Sequence, residues 1–533
     1  MYNNYTPLQQ RQLALQEYSN TQSTYLLVYA PVRSTALKAT LTDQLHRKFR
    51  LVDRLGGELT ASVDGVLLAA EDVELMSTAL MFFAKALQDG ADYAVCNAVF
   101  GFGGATALYQ SQPLQAQNRC AVVSRTLLER CRAAAHDPEN VPELLALAAQ
   151  LCTKPALIPQ ALLHYERGIC AEDAFSAHGK RAFIMSHVLD MTGAPIVLVS
   201  AVPVLRSMGY EVLVLGPSDG GSLHLFLDAG ASVITRSSCR NVSDAWGMAL
   251  CADFVIANTV VMARAVRALS GTAVPVLWWL HDAFAGYPHI AHQIPTQLGE
   301  NVRVYSVGSH AANAMHAVRP EFEIRPLIYG LPDYAAENFV RTDLGYNRGR
   351  PLFATVGSFE RRKGHDIFCK AIRLLPPEVR EKASFLFVGQ AADKEMMDSV
   401  RALTADYPEN VYYCKRLTRD EIKSLMEQCT GLVCASRDDP MPTFVTEGLI
   451  FGKPSIVSEH TGTAGLISEG RNGFVYHNDD PQQLAVLLEH AIEHPEELAS
   501  MRTECRKMYE QYYSKEAFEQ TLRAAVEDLT AKK

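Results

Sequence analysis

Two short stretches hold most of the residues whose types and spacing could do chemistry. The first is SRDDPMPTFVTEGLIFGKP, residues 436–454, in which Asp439 and Glu447 stand eight positions apart. The apolar run before it reads as a strand and the segment from about Thr443 as a helix. Asp439 then falls in the loop and Glu447 one turn into the helix. The N–H groups of Thr443 and Phe444 belong to the first helical turn, where free amides form an anion site. Pro442, which has no N–H, suits the position just before it. The second stretch is GSFERRKGHD, residues 357–366, also placed between a strand and a helix. Arg361, Arg362 and Lys363 put positive charge at that junction, which is what a diphosphate leaving group requires. Two smaller signals accompany them. His281 ends the apolar strand of WWLHDA, and Gly193 sits in the loop MTGAP.

These residues need strands and helices to carry them, and the chain has three segments that can. Residues 1–172 form a first α/β segment. In it Tyr25–Ala30, Tyr93–Phe100 and Ala156–Tyr165 read as strands, and Glu71–Gln88 and Pro142–Leu151 as helices. Residues 178–340 alternate strand and helix. RAFIMS leads to a helix over Ile196–Ser207 that Gly209 ends, then come YEVLVLGP, ADFVIAN and VPVLWWL. Residues 341–533 repeat the alternation with PLFATVG, SFLFVG, NVYYC, GLVCAS and PSIVS, and Asp480 followed by Pro481 caps a late helix. Continuous apolar strands separated by helices imply parallel sheets covered on both faces. The expected fold is therefore α/β. Two Rossmann-like domains in tandem face a cleft, an extra α/β domain precedes them, and the last helix packs back on residues 178–340.

Composition excludes other classes. The 533 residues are 48% hydrophobic and 20% charged, ordinary for a globular chain, and the net charge is -9. Such a chain has no global electrostatic reason to bind nucleic acid. Its longest apolar runs, Ala194–Leu205 and Thr272–Leu280, fall short of a spanning helix, and no signal peptide stands at the N-terminus. The twelve cysteines show no metal-binding spacing and read as reduced core residues, so the expected location is cytoplasmic. The GFGG at Gly101–Gly104 reads as an ordinary loop.

From about Lys180 to Tyr513 the chain resembles the retaining glycosyltransferases of family 4, which have the two-domain GT-B fold. Asp439 and Glu447 resemble the family's pair of acids with seven residues between them. Arg362-Lys363-Gly364 resembles its phosphate motif, His281 its strand-end histidine and Gly193 its N-terminal glycine loop. The resemblance implies a nucleotide diphosphate sugar as co-substrate, with no metal and no other cofactor. It assigns Asp439 to the donor sugar's hydroxyls, Glu447 to the ribose, Arg362 and Lys363 to the diphosphate, and His281 to the reacting sugar and acceptor. Thr443, Phe444, Ser358 and Gly193 complete the donor set. Two residues depart from the pattern. Ser358 stands where many members have Arg, and Pro442 where glycine is usual between the acids. The implied acceptor is a glycan, a lipid-linked sugar or a protein, in surface polysaccharide or glycoconjugate synthesis. Peripheral association with the inner membrane face and homo-oligomerisation are compatible with this. The rival reading is a non-catalytic GT-B subunit that binds a partner transferase or an acceptor protein. The first segment is similar to a degenerate family 2, GT-A domain. There Ala69, Ala70 and Glu71 occupy the place of a metal-binding D-x-D, and ALLHYERG resembles the closing strand.

Overall fold

The computed structural model describes residues 23–531, apart from 30–34, 42–43, 45, 71–72, 77, 103–105, 111–118, 166–178, 219, 237–238 and 240–247. The polar N-terminus, Glu71, the last two glycines of GFGG and the expected boundary near residue 172 lie outside the described residues, whereas Gly101 and Phe102, expected in a loop, end a strand that pairs with residues 106–107. The chain divides into two compact units, Met1–Ile256 and Ala257–Lys533. That division falls inside the segment 178–340.

In the first unit the strands are β1 (Leu26–Tyr29), β2 (Phe49–Val52), β3 (Gly65–Ala69), β4 (Glu74–Leu75), β5 (Tyr93–Phe102), β6 (Thr106–Gln110), β7 (Cys120–Ser124), β8 (Pro155–Tyr165), β9 (Lys180–Met185), β10 (Tyr210–Gly216) and β11 (Ser232–Arg236). They run in the order β9-β10-β11-β6-β5-β7-β3-β1-β2, with β8 beside β4 and β5. Pairing is parallel from β9 to β11 and antiparallel where β11 meets β6. The first segment and the start of the second thus share one mixed sheet. The helix expected over Glu71–Gln88 is shorter: among the described residues of that span, only Ala79–Gln88 (α1) is helical. Glu74 and Leu75 instead pair antiparallel with His164 and Leu163, because β8 offers a sheet edge that outweighs a local helical pattern. The Gln44 side chain marks the change of structure. It donates to Met76 O (2.9 Å) and accepts the Leu80 N–H (3.2 Å). Gly193–Ser207 (α2) starts three residues before the expected Ile196 and carries Pro203 inside it.

The second unit begins within β12 (Phe254–Asn258) and holds two parallel sheets. β13 (Val276–Leu280), β14 (Val302–Ser306) and β15 (Ile324–Pro326) lie side by side. The other sheet is six-stranded, with β16 (Leu352–Val356), β17 (Ser384–Val388), β18 (Val411–Cys414), β19 (Gly431–Cys434), β20 (Ser455–Ser458) and β21 (Gly473–Tyr476) in the order β18-β17-β16-β19-β20-β21. β13, β17, β19 and β20 are buried along their whole length, as expected of strands covered on both faces.

Helices leave the strand ends where the sequence supplies caps. Ser309–His316 (α3) follows β14, and His365–Leu374 (α4) follows β16. Arg419–Gln428 (α5) opens on a reciprocal capping box between Thr418 and Glu421. Thr443–Ile450 (α6) follows β19 with Pro442 at its cap, and Asp480 caps Pro481–Glu493 (α7) through the Gln483 N–H at 3.0 Å. The last helix, Lys515–Thr530 (α8), returns to β13, where Phe518 stacks on Trp279 at 5.8 Å. The indole N–H groups of Trp278 and Trp279 donate to Thr259 O (2.8 Å) and Leu327 O (2.9 Å), which fixes the strand that leads to His281.

The turn before α4 depends on glycine. Gly364 has φ +66°, and a Cβ there would lie 1.8 Å from Ala435 O. Gly364→Ala should lower stability by at least about 1–3 kcal/mol from the left-handed backbone alone. A thermal midpoint equal to wild type by circular dichroism would refute that account of the turn.

Candidate active site

β16 and β19 are neighbours, so their C-terminal ends bring residues 357–364 and 436–443 together. Hydrogen bonds fix this approach: the Arg437 N–H donates to Arg362 O (2.8 Å), and Arg362 Nη1 donates to Asp438 O (3.1 Å). At the centre Lys363 Nζ donates to Asp439 Oδ2 at 2.5 Å. Asp439 is 3% exposed, and the Met441 N–H (3.3 Å) and the Ser436 hydroxyl (3.5 Å) also point to its carboxylate. Arg362 lies 3.9 Å from the same oxygen and binds Glu360 at 3.0 Å. Ser358 also turns to Glu360, at 2.8 Å. The structure thus joins Lys363, Arg362 and Asp439 into one charged group, with Ser358 on its flank.

Thr443 and Phe444 open α6, and their N–H groups precede the helix's own ladder. Thr443 is exposed and Phe444 buried. Glu447, one turn on, has a partner the sequence reading missed: Arg419 Nη1 donates to its Oε1 at 2.7 Å, and the guanidinium lies 4.1 Å from the Tyr334 ring centre. The Thr418/Glu421 cap was the available signal, because it sets Arg419 at the first position of α5. His365 is buried next to the cluster, and burial with the nearby Lys363 charge pushes its pKa down to about 3, so it is neutral.

His281 follows β13 directly, its ring 4.6 Å from that of Trp279. Its neighbour Asp282 accepts the Val260 N–H at 2.5 Å, and burial pushes that carboxyl up to about 6. The loop continues to Phe284 and Ala285, whose N–H groups donate to Asp438 at 3.1 and 2.8 Å. His310, the second residue of α3, also binds Asp438, at 2.7 Å. Burial opposes ionisation of Asp438. The His310 ring and the two N–H groups outweigh it and hold the carboxyl below its usual range. Neither Asp438 nor His310 was singled out from the sequence, where nothing marks residues 128 positions apart as partners.

Gly193 belongs to the first unit. It is the first residue of α2, and nothing lies within 4 Å of where a Cβ would stand, so packing does not require glycine there. Among the described residues no helix is long and apolar enough to cross a membrane.

Known proteins are similar to parts of this chain in sequence and in fold. Residues 178–321 match the family described as Glycosyl-transferase family 4, and residues 337–508 match Glycosyl transferases group 1. An uncharacterized glycosyltransferase of Methanocaldococcus jannaschii, MJ1178, is 25% identical over 194 residues, which cover 36% of this chain and 53% of that protein. Spore coat protein SA of Bacillus subtilis is 26% identical over 160 residues, covering 28% and 41% respectively. The chain thus spans about half the length of the curated relatives it matches. In fold it is similar to Anabaena Alr3699/HepE, solved in complex with UDP. The TM-score is 0.55 at 18% identity, over 66% of this chain and 100% of that one. Sucrose-phosphate synthase from Thermosynechococcus elongatus gives 0.53 at 16% identity, over 66% and 99%. With both halves of the chain's C-terminal two thirds matched in order, residues 178–508 are those of a family 4-like glycosyltransferase of GT-B fold.

Proposed function

We propose that the chain transfers a sugar from a nucleoside diphosphate sugar to an acceptor hydroxyl, with retention at the anomeric carbon and without a metal ion. The observation that carries this reading is the Lys363–Asp439 pair set just ahead of the first turn of α6. A diphosphate needs concentrated positive charge as the bond from its oxygen to the sugar breaks. Lys363, Arg362 and the N–H groups of Thr443 and Phe444 are placed to supply it. A bound diphosphate competes with Asp439 for the Lys363 ammonium, which frees a carboxylate oxygen for the donor sugar's hydroxyls. Glu447, with Oε1 on Arg419, keeps Oε2 for the ribose. His281 attends the reacting sugar and acceptor, and Ser358 completes the donor set. The acceptor oxygen bonds to the anomeric carbon on the face the diphosphate leaves, and the acceptor proton goes with the departing diphosphate. The acceptor class is a glycan, a lipid-linked sugar or a protein, and the protein works in the cytoplasm or at the inner membrane face. The UDP-bound neighbour makes uridine donors the first to test.

Incubation with UDP-, GDP- and ADP-sugars should release nucleotide; binding without turnover of any donor would favour the non-catalytic subunit. Lys363→Ala and Glu447→Ala should each weaken binding of the matching nucleoside diphosphate by about 1.5–3 kcal/mol in calorimetry, the usual worth of a bond to a charged group. Unchanged affinity in both would discard the donor site.

His281→Ala and Asp439→Asn should lower kcat by roughly 10²-fold or more, if their contacts tighten in the transition state. His281→Ala should bind the free nucleoside diphosphate nearly as wild type does, because that ligand lacks the sugar, and Asp439→Asn at least as tightly, because the rival anion on Lys363 is gone. Full turnover in His281→Ala would return that histidine to a packing role.

Turnover should also persist in EDTA. Loss on chelation, restored by Mn²⁺ or Mg²⁺, would overturn the metal-free mechanism.

A further inference from the structure

Asp438 has no part in the donor set, yet its carboxylate takes as many hydrogen bonds as that of Asp439. Its carboxylate takes three donors: His310 Nε2 (2.7 Å), the Phe284 N–H (3.1 Å) and the Ala285 N–H (2.8 Å). Its carbonyl oxygen takes Arg362 Nη1 at 3.1 Å. One side of this residue is therefore tied to the phosphate-binding basic segment. The other side is tied to the loop that carries His281, three residues before Phe284, and to the start of α3.

The surroundings show that this approach is built in. A Cβ on Gly308 would lie 2.7 Å from Met441 Cε and 3.3 Å from Gly462 O, and one on Gly465 would lie 2.7 Å from Ser309 Oγ. The His310 ring packs 5.1 Å from that of Phe284, which is itself 42% exposed. The Asp438 side chain is only 15% exposed, so its three bonds are poorly screened by solvent. No covalent feature holds residues 281–285 against residues 436–441; this carboxylate is the charged link between them.

We infer that Asp438 is a positioning residue, whose clamp on Phe284, Ala285 and His310 sets His281 against the donor loop. This rests on the transferase reading of the site. It goes beyond that reading because the role given to Asp438 is carried by its protein partners, not by contact with donor or acceptor. A loosened loop leaves nucleotide binding to Lys363 and Glu447 but misplaces His281, and small misplacements of reacting groups are costly.

The test is Asp438→Asn, with His310→Ala as a milder second variant that keeps the carboxylate and its two backbone donors. With the donor that wild type turns over, kcat in Asp438→Asn should fall roughly 10- to 100-fold. Affinity for the matching nucleoside diphosphate should stay within about twofold of wild type, because the bonds to it are intact. In hydrogen exchange the peptide covering residues 281–287 should lose protection in Asp438→Asn, while that covering 365–374 keeps it. Turnover equal to wild type in both variants overturns the proposal, as does nucleotide affinity that falls in step with kcat. Should wild type bind nucleotide but turn over no donor, the transferase reading fails instead. Exchange then decides the clamp by itself: unchanged protection at 281–287 in Asp438→Asn discards it.

Discussion

The site is organised by one buried ion pair, Lys363 with Asp439. A carboxylate exposed by only 3% is tolerable when a cation and further donors replace the water it has lost. The pair therefore demands that residues from the ends of two neighbouring strands meet with little freedom. Gly364 lets the chain turn under the carbonyl of Ala435, and Arg437 and Arg362 stitch the two loops together. A ligand that brings its own negative charge can take Lys363 from Asp439, whose carboxylate then keeps the Ser436 and Met441 donors and lies 3.9 Å from Arg362. Under the proposed transfer, that exchange lets the site be stable when empty and receptive when a diphosphate arrives.

How much of this was legible in the sequence follows from the range of the interactions. Apolar strands such as VLWWL and GLVCA are local patterns, and they fall where expected, as do the Asp480 cap and the start of α6 at Thr443. Lys363 and Asp439 were both legible as site residues, because each follows a strand and resembles a known motif, but their contact with one another was not. The short β4 was not legible either, since Glu74 and Leu75 carry a helical pattern that only a distant strand overrides. Nor was β11 beside β6, because strand order within a sheet leaves no local mark. The same applies to Arg419 on Glu447 and His310 on Asp438, which join residues 28 and 128 positions apart.

The tryptophans of β13 show how a site residue is supported from behind. Each indole buries a large ring and still satisfies its N–H on a backbone carbonyl, the condition under which tryptophan is suited to a core. Trp279 is held by the stacked Phe518 of α8, and its other neighbour in the ring stack is His281 itself. The final helix thus bears on the position of a residue more than 200 places earlier, through two aromatic contacts and no charge.

Asp438 and Asp439 are chemically identical and adjacent, and the fold gives them separate work. Asp439 lies in a β-bridge with Thr461, where extended backbone sends successive side chains to opposite sides. Asp439 accordingly faces Lys363, and Asp438 faces His310 and the N–H groups of Phe284 and Ala285. Their burial differs little, at 4% and 15% of the side chain, so solvation alone does not distinguish them. What distinguishes them is the partner each meets. The Asp439 partner is a flexible ammonium that, in the proposed reaction, a diphosphate takes away. Two of the Asp438 partners are backbone groups that no ligand can replace without moving the chain. One carboxylate is built to exchange its partner and the other to keep it.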